Sequence, residues 1–476
     1  MNKHYKIMLM ALCSSFFCAG ATFANPTVFT GDGTDQTREI QALFNKGGDY
    51  VFQGTVKTGE VHVSGQNLTI DFADRAVLEP ASQVNVLWQF DNSNITLKHI
   101  NVDGKGMAQT AVKVLNGTFR AGDVHMVDLG YPSQTATDMV AGLWLEGTKS
   151  VAIRKAVFAD FHSVGVGAYG NGRGAVRGIV LWRTGPVDIG TFEMSGGDGK
   201  MDNDYFQAQL GTEGGVIHNV VARYNGYTRR IIKIQSGQWT IENVDIRKGP
   251  DFVADNPETE AGTHNLNAID YATSAPGKVV INGGYMDCTG FAVCVSNSGG
   301  GGAQVIAGPK LVMEGSTHKV IRNDPGTGGK QNNDSIGFYT QNEDGGSGIE
   351  GATLVHFGVA AVLRGQQSYA KGAKFVDPVH FAAQIGEFNH KSSNQRFVGN
   401  EVSTRTPGYL KSGVVSVLNA KDVKIADNKF TEEGNSQHAM KFFDFKHKEA
   451  SGSVFGNHMP ARVEPASNAP ASISVQ

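Results

Sequence analysis

The sequence predicts an all-β protein built as a solenoid of stacked coils. A short phrase recurs along the chain: alternating β-branched and apolar residues, an Asn or Asp, a second apolar stretch and then Gly. Copies that align cleanly lie 27 residues apart from Ile70 to Leu97 and 24 residues apart from Ile217 to Ile241. Such a period is typical of stacked supersecondary units. Short runs with period-2 alternation replace helical periodicity from Val56 to Met459, which predicts roughly a dozen coils of short parallel strands.

The first 24 residues predict the compartment. Lys3, His4 and Lys6 precede an apolar run from Ile7, and small residues follow up to Ala24. This is the pattern of a secretory signal peptide cleaved after Ala24, and the run is too short for a membrane anchor. We therefore expect a periplasmic or secreted protein without an anchor.

The mature chain divides into three predicted parts. Residues 25–54 contain Ile40, Leu43 and Phe44 at helical spacing, which predicts an amphipathic helix that caps the open end of the solenoid. Residues 55–460 form the β-helix domain, because no linker interrupts them and stacked coils escape the usual size limit of one domain. Residues 461–476 lack a core pattern and are predicted to be disordered. The net charge of −3 offers no basic stripe for nucleic acid and no polybasic patch for membranes.

Cysteine and asparagine positions add two local expectations. Cys288 and Cys294 are the only cysteines after the signal peptide, and they form either a local disulfide or two small buried positions in adjacent strands. An asparagine also follows two residues after Ile217, Ile241 and Val280. Stacked asparagines hydrogen-bond along a solenoid axis, which predicts a ladder of Asn219, Asn243 and Asn282.

The register of the repeat converts sequence offsets into neighbours on a sheet. If Ile217 stacks on Ile241, Gln209 lies beside Lys233, and matching RIIKIQS to NAIDYAT places Lys233 beside Asp270. Lys233 and Gln235 then face outward, because successive strand side chains alternate. The alternative for a Lys and an Asp on an outer sheet is an ordinary surface ion pair.

Further polar groups gather around these strands, beside long insertions that form the walls of a groove. The candidates from the sequence are Asp202, Asp204, Tyr227, Arg229, Arg230 and His264. Trp144, Trp182 and Trp239 are candidates for stacking on sugar rings, with core packing as the alternative for Trp239. The DGKMDND phrase has acidic spacing like that of a calcium loop but lacks the bidentate Glu of an EF-hand, so we assign no metal or cofactor and keep calcium as the alternative.

The N-terminal phrase, in which Asp residues precede a helix and then Gly-Gly, an aromatic residue and Val, resembles the start of pectate-lyase-superfamily and tailspike-like proteins. The coil series resembles the right-handed parallel β-helix superfamily, which includes pectate lyases, polygalacturonase-type hydrolases, alginate epimerases and phage capsule depolymerases. RRIIKIQSGQWTIENV is also similar to a coil of the β-helix protein of colanic-acid gene clusters. The Asn-Thr-Asp, Asp-Asp and Gly-His-Gly signatures of polygalacturonases are missing, and Arg230 and Lys233 are separated by two residues rather than one.

The resemblance implies a right-handed fold and a polysaccharide as substrate. A lyase acting on an acidic polysaccharide would use Arg230 to neutralise the carboxylate, Lys233 as base, and Tyr227 or His264 as acid. A hydrolase would instead use two carboxylates among Asp202, Asp204 and Asp270.

The sequence thus predicts a secreted protein that cleaves an acidic exopolysaccharide or capsule, and that loses this activity, but not its fold, in Lys233→Ala and Asp270→Ala. The alternatives are a non-catalytic polysaccharide-binding protein of exopolysaccharide assembly or export, and a uronan epimerase. The substrate-binding residues of this prediction are Tyr227, Arg229, Gln209, Gln235 and Trp144.

Overall fold

A computed structural model gives the structure of the protein over most of its length. It describes residues 25–73, 75–131, 139–163, 175–198, 203–252, 266–273, 275–299, 302–317, 320–323, 330–341, 345–386, 392–410, 413–433, 443–445, 449–461, 463 and 468–476. The predicted signal peptide, together with Asp202 and His264, lies outside these ranges.

The described chain is almost entirely β, with one helix, α1, at Thr37–Phe44. The strands of its first part are β1 Thr27–Asp35, β2 Gly48–Thr58, β3 Val61–Ser64, β4 Asn67–Phe72, β5 Val77–Pro80, β6 Val84–Asp103, β7 Ala108–Val127, β8 Gly130–Tyr131, β9 Val140–Glu146, β10 Val151–Ala159, β11 His162–Ser163, β12 Val176–Trp182 and β13 Val187–Ser195. The strands of its middle part are β14 Asn203–Gln209, β15 Gly214–Tyr224, β16 Thr228–Ile234, β17 Gly237–Lys248, β18 Asn267–Tyr271, β19 Gly277–Asp287, β20 Val293–Asn297, β21 Ala303–Ala307, β22 Leu311–Glu314, β23 Val320–Asn323, β24 Lys330–Asn333 and β25 Ile336–Thr340. The strands of its last part are β26 Gly348–Glu350, β27 Thr353–Val355, β28 Val359–Leu363, β29 Tyr369–Lys371, β30 Lys374–Val376, β31 Phe381–Ile385, β32 Ser392–Ser393, β33 Arg396–Val398, β34 Glu401–Thr404, β35 Val415–Val417, β36 Ala420–Lys421, β37 Val423–Ala426, β38 Lys429–Glu432, β39 Phe443–Phe445, β40 Gly452–Phe455 and β41 Ile473–Val475.

Nearly all of these strands belong to one 35-stranded sheet whose pairings are parallel and join each coil to the next. Three stacks of strands result. The first stack contains β3, β6, β7, β9, β12, β14, β16, β18, β20, β25, β28, β31, β35 and β39. The second runs through β10, β13, β15, β17, β19, β21, β26, β29, β33, β37, β40 and β41, and the third through β22, β27, β30, β34 and β38. This arrangement is consistent with a β-solenoid, and its core lies between the stacks.

The repeat register of the sequence is confirmed where it was most regular. Ile70 pairs with Leu97, and Ile217 pairs with Ile241. The asparagine ladder is wrong at the predicted positions, because Ile241 pairs with Ile281, which shifts Asn282 to face Glu242. Asn219 and Asn243 donate to backbone carbonyl oxygens of preceding coils instead of to each other.

The helix α1 stands where the sequence predicted one, but it has only eight residues. Its Ile40 and Phe44 are buried, and the Phe44 ring lies 5.0 Å from that of Trp88 in the first stack. Strand β1 lies at the same end and pairs with β2, so the short helix α1 hardly supports a capping role, which stays a prediction.

Two further expectations have structural outcomes. Cys288 and Cys294 form a disulfide with 5.4 Å between their Cα atoms. The predicted disorder of the tail is wrong for Ile473–Val475, which form β41 and extend the second stack beyond β40. The tail shows no repeat in the sequence because it adds a single short strand to the second stack, and only Ile473 of that strand is buried. None of the described helices is long and apolar enough to cross a membrane.

Candidate functional site

The outer face of the first stack carries the polar residues that the repeat register selected. Lys233 in β16 pairs with Asp270 in β18, as predicted. Asp270 in turn pairs with Ser296 in β20, and Ser296 with Tyr339 in β25. Parallel strands lie about 4.8 Å apart, so these side chains form one continuous row along the solenoid axis.

A local break in alternation brings Arg230 onto the same face as Lys233. Ile231 and Ile232 are both fully buried, so the strict inward and outward alternation of a strand is interrupted between the two cations. Arg230 Nη1 lies 3.4 Å from Asp204 Oδ1, and Lys233 Nζ lies 3.5 Å from Asp204 Oδ2. Arg230 and Lys233 are separated by two residues rather than by one as in polygalacturonases, yet both side chains still lie beside the carboxylate of Asp204.

Asp204 is the centre of a buried ion network. Arg177 Nη2 approaches its Oδ2 to 3.1 Å, which makes Arg177, Arg230 and Lys233 three cations around one carboxylate with no solvent exposure. Arg177 Nε also donates to Gln207 Oε1 at 3.2 Å. Cations at these distances compensate a buried carboxylate for the loss of water.

Asp270 holds the second half of the network. Arg230 Nε donates to its Oδ2 at 3.0 Å, while the hydroxyls of Ser296 and Ser298 donate to its Oδ1. Asp270 is also fully buried, whereas the side chains of Arg230 and Lys233 keep 8% and 14% of their exposure. The carboxylates therefore fix the cations, and the cations are the groups that reach the outer face.

One predicted neighbour is wrong by two residues. Gln207, not Gln209, pairs with Lys233. The connection from Ala208 to Ile217 is two residues longer than the connection from Ile234 to Ile241, and it contains the positive-φ residues Leu210 and Gly211. A longer turn between the stacks shifts the first stack without shifting the second, which the sequence offset alone does not reveal.

The remaining candidates occupy several places. Gln209 and Gln235 line a separate cleft of about 500 Å³. Trp144 faces the Trp182 ring at 4.7 Å between centroids, with Lys113 Nζ 4.6 Å from its own ring. Tyr227 is half-buried and Arg229 is buried, and both lie in or directly before β16, the strand that carries Arg230 and Lys233. Asp202 and His264 lie outside the described residues.

A groove of about 750 Å³ begins at Arg230 and continues over the following coils. Its lining crosses six strands of the first stack, β16, β18, β20, β25, β28 and β31. Its polar residues include Ser296, Ser298, Asp334, Tyr339, Arg364, His380 and Gln384. Five strand intervals correspond to a length of about 24 Å, which suits an extended chain rather than a compact ligand.

The groove contains two polar pairs that sequence reasoning missed. Arg364 Nη1 donates to the Tyr339 hydroxyl at 3.3 Å, and His380 Nε2 lies 3.3 Å from Asp334 Oδ1. Arg177 was also missed. Arg177 could have been found by extending the repeat alignment from Asp204 to the preceding coil. Asp334 and His380 could not, because they precede strands that lie two coils apart and they occupy different positions in the repeat.

No group of three or more His, Cys, Asp or Glu side chains in the described part of the chain is arranged to hold a metal ion. Two of the acidic residues in the calcium-like phrase have other partners: Asp198 contacts His162, and Asp204 binds the three cations. Burial raises the pKa of Tyr205, whose hydroxyl donates to the carbonyl of Gly196, so this neighbouring phenol stays protonated.

Comparisons with known proteins give two distant structural likenesses. The catalytic unit of a thermostable GH87 α-1,3-glucanase from Streptomyces thermodiastaticus aligns over 96% of this chain and 71% of its own, at 10% identity and a TM-score of 0.24. The A-module of the mannuronan C-5 epimerase AlgE6 from Azotobacter vinelandii aligns over 94% of this chain and 95% of its own, at 13% identity and a TM-score of 0.25. Both are too distant to assign a function. No protein-family model and no curated protein matches the chain.

Proposed function

We propose that this protein binds an acidic polysaccharide along the groove of the first stack and cleaves it. The observation that carries the proposal is the ion network at the groove's end, where buried carboxylates hold Arg230 and Lys233 side by side. The side chains of these two cations keep some exposure, so both are presented to the groove. A uronate carboxylate is a ligand of matching charge and geometry for a guanidinium group.

The shape of the groove supports a polymer as ligand. A trough of about 24 Å along parallel strands accommodates several sugar units in an extended conformation. Hydroxyls, amides and one tyrosine line it, which are the donors and acceptors that sugars need. The Trp144 and Trp182 pair lies on the same face beyond Lys233 and extends the proposed track in the other direction.

Burial favours the lyase mechanism over the hydrolase mechanism. A hydrolase needs one carboxylate in contact with the sugar and one protonated carboxyl group. Asp204 and Asp270 are fully buried and ion-paired, so neither is available for that work. In the lyase mechanism Arg230 and Lys233 engage the substrate carboxylate, which makes the proton beside it more acidic. Uronan epimerisation begins with removal of the same proton and is the alternative reaction. Binding of the polysaccharide without cleavage is the non-enzymatic alternative.

We also propose that the protein is secreted, and we propose two finer details of its fold. The N-terminal pattern of Lys3 to Ala24 supports secretion, and a glycan outside the cell is a substrate that a secreted protein meets. The right-handed sense of the coil and the cap formed by α1 belong to the same proposal.

The experiment compares Lys233→Ala, Lys233→Arg and the unchanged protein for binding to polyuronates by affinity electrophoresis. Loss of a charged hydrogen bond predicts binding about tenfold to a hundredfold weaker in Lys233→Ala, with most of the affinity kept in Lys233→Arg. Lys374→Ala is the control, because Lys374 lies in the third stack and is paired with Glu401 on the surface.

Unchanged binding in Lys233→Ala contradicts the proposed site. Product analysis then separates the chemistries: unsaturated uronyl ends with ultraviolet absorbance indicate a lyase, new reducing ends without that absorbance indicate a hydrolase, and exchange of the C5 proton without cleavage indicates an epimerase. Binding without any product leaves the non-enzymatic function.

A further inference from the structure

Leu210 combines two features that are unfavourable for a leucine. It has a positive φ of +58° in the turn that follows β14, and it is 51% exposed. A positive φ strains a bulky residue, and an exposed apolar side chain gains nothing from burial. Leu410, the other described leucine with a positive φ, is fully buried, so packing offsets its strain. Leu210 lacks the burial that would offset the strain of its own backbone.

Neighbouring coils place other residue types at the same point of this turn. The residue that follows the last paired position of the first stack has a positive φ in four successive coils, and in chain order these residues are Asn116, Gly147, Arg183 and Leu210. Asparagine and glycine adopt this conformation readily, and Arg183 forms an ion pair with Glu146. The leucine at the fourth position is therefore explained neither by the turn nor by an ion pair.

Leu210 lines the cleft of about 500 Å³ beside the first stack. Ala275 and Pro276 add apolar surface to this cleft, and Gln209 and Gln235 add side-chain amides. None of the described residues that line it is charged, in contrast to the cationic end of the groove. The cleft therefore suits a neutral group that has an apolar part and a hydrogen-bonding part.

A chain of hydrogen bonds from the ion network fixes the amide of Gln209. The guanidinium of Arg177 can only donate, so its 3.2 Å contact through Nε places Oε1 of Gln207 toward Arg177. The Nε2 of Gln207 then donates to Oε1 of Gln209 at 3.2 Å. This arrangement leaves the NH₂ group of Gln209 as a hydrogen-bond donor at the cleft.

The cleft lies beside the place where the proposed substrate carboxylate binds. Lys233 and Gln235 are two residues apart, which corresponds to about 7 Å along an extended strand. The backbone N–H of Gln235 donates to the carbonyl of Ala208 at 2.7 Å, so the pairing of β16 with β14 continues up to the cleft. A sugar ring with its substituents spans this distance. A unit bound at Lys233, or the unit adjoining it, therefore brings a ring substituent to the cleft.

We propose that this cleft binds an O-acetyl group, and that the ligand of the protein is an acetylated acidic polysaccharide. The inference rests on the proposed function, since it assigns a substituent of the same ligand. The ester carbonyl accepts a hydrogen bond from the NH₂ group of Gln209, and the methyl group packs on Leu210. An acetyl ester is neutral and has one carbonyl acceptor and one small apolar end, which are the properties that the cleft complements.

The test compares the binding of plain and chemically O-acetylated alginate, polygalacturonate and glucuronan by affinity electrophoresis. Burial of one methyl group and one added hydrogen bond predict about tenfold tighter binding of the acetylated form of a polymer that binds. This preference, measured as the ratio of the two affinities, should disappear in Leu210→Gly. The midpoint of thermal unfolding should not fall in the same variant, because glycine adopts a positive φ without strain.

Gln209→Glu tests the polar half of the site. A carboxylate accepts the hydrogen bond from Gln207 as the amide does, but it has no N–H to offer to an ester carbonyl. We expect the preference for the acetylated polymer to fall in this variant as well. A preference that is kept in Gln209→Glu contradicts the role of its NH₂ group.

Gln367→Gly is the matched control. Gln367 lies in the turn between β28 and β29, has a φ of +57°, is exposed and lies outside the cleft, so this variant should keep the tenfold preference. Equal binding of both polymer forms by the unchanged protein, or a preference kept in Leu210→Gly, overturns the acetyl site and leaves the proposed function intact. A lower unfolding midpoint in Leu210→Gly also overturns it, since Leu210 would then support the fold. Absence of binding to every polymer overturns the proposed function together with the acetyl site.

Discussion

Asp204 illustrates what a single residue does in this protein. Its carboxylate contacts Arg177, Arg230 and Lys233 and has no contact with solvent. If it becomes neutral, three cations lose their common counter-charge inside a region of low dielectric. Asp204 is therefore a positioning residue that sets where the two outer cations lie.

We expect Asp204→Asn to lower the free energy of unfolding by about 3 to 5 kcal/mol, the usual effect of removing one member of a buried ion network. Urea unfolding followed by circular dichroism measures this change. Glu401→Gln is the control, since its exposed pair with Lys374 contributes at most about 1 kcal/mol. Equal stability of the two variants would contradict the role of Asp204.

The expectation that Asp270→Ala leaves the fold intact changes for the same reason, because Asp270 is also a member of the buried ion network. The variant leaves Arg230 without its 3.0 Å partner and the Ser296 hydroxyl without an acceptor. A loss of activity in this variant is therefore accompanied by lower stability, and Lys233→Ala is the cleaner probe of substrate contact because Lys233 reaches the surface.

At the scale of an element, the solenoid does contain the asparagine ladder that the sequence pattern suggested, but near its C-terminal end. The Nδ2 of Asn400 donates to Oδ1 of Asn428 at 3.0 Å, and the Nδ2 of Asn428 donates to Oδ1 of Asn457 at 2.8 Å. The same Oδ1 atoms accept the backbone N–H groups of Asn400 and Asn428. Each asparagine thus satisfies the turn of its own coil and binds the next coil.

We expect Asn428→Ala to reduce the free energy of unfolding by about 1 to 3 kcal/mol, because it leaves buried donors of Asn400 without an acceptor. Asn94→Ala is the matched control. Asn94 also bonds to an asparagine one coil away, Asn67, but it is exposed and water replaces the lost partner. A larger loss in the Asn94 variant than in the Asn428 variant would be inconsistent with this explanation.

At the scale of the whole molecule, the outer surface carries a recurring arrangement in which one imidazole lies between two carboxylates of different coils. The pairs are Asp71 and Asp123 around His99, Asp128 and Asp198 around His162, Asp188 and Glu242 around His218, and Glu314 and Asp377 around His356. A neutral imidazole has one N–H and can donate to only one carboxylate, whereas the imidazolium donates to both. Protonation therefore links neighbouring coils.

His162 allows the sign of this effect to be worked out. Its hydrogen bond to Asp198, and then the charges of Asp198, Asp128 and Asp160, raise its pKa above the ordinary value of 6.5. A raised pKa in the folded state stabilises the fold at pH values below 6.5 and loses this contribution as the pH rises through the folded value.

We expect His162→Asn to cost more stability at pH 5.5 than at pH 8.5, by about 1 kcal/mol or less because the imidazole is half-exposed. Unfolding free energies of both proteins at the two pH values measure the difference. His125→Asn is the control, because His125 is exposed and has no carboxylate in the described contacts. An equal loss of unfolding free energy at both pH values would show that the histidine acts only by packing.

The sequence by itself determined the solenoid and the strand pairings of Ile70 with Leu97, of Ile217 with Ile241 and of Lys233 with Asp270. These features are local, because the spacing of apolar residues within one repeat fixes which residue of the next coil lies opposite. Only the tertiary structure decided that Asp204 and Asp270 are sealed beneath cations, that Gln207 takes the place predicted for Gln209, and that Asp334 contacts His380. Turn lengths differ between coils, and burial depends on side chains from several coils at once, so neither follows from the repeat.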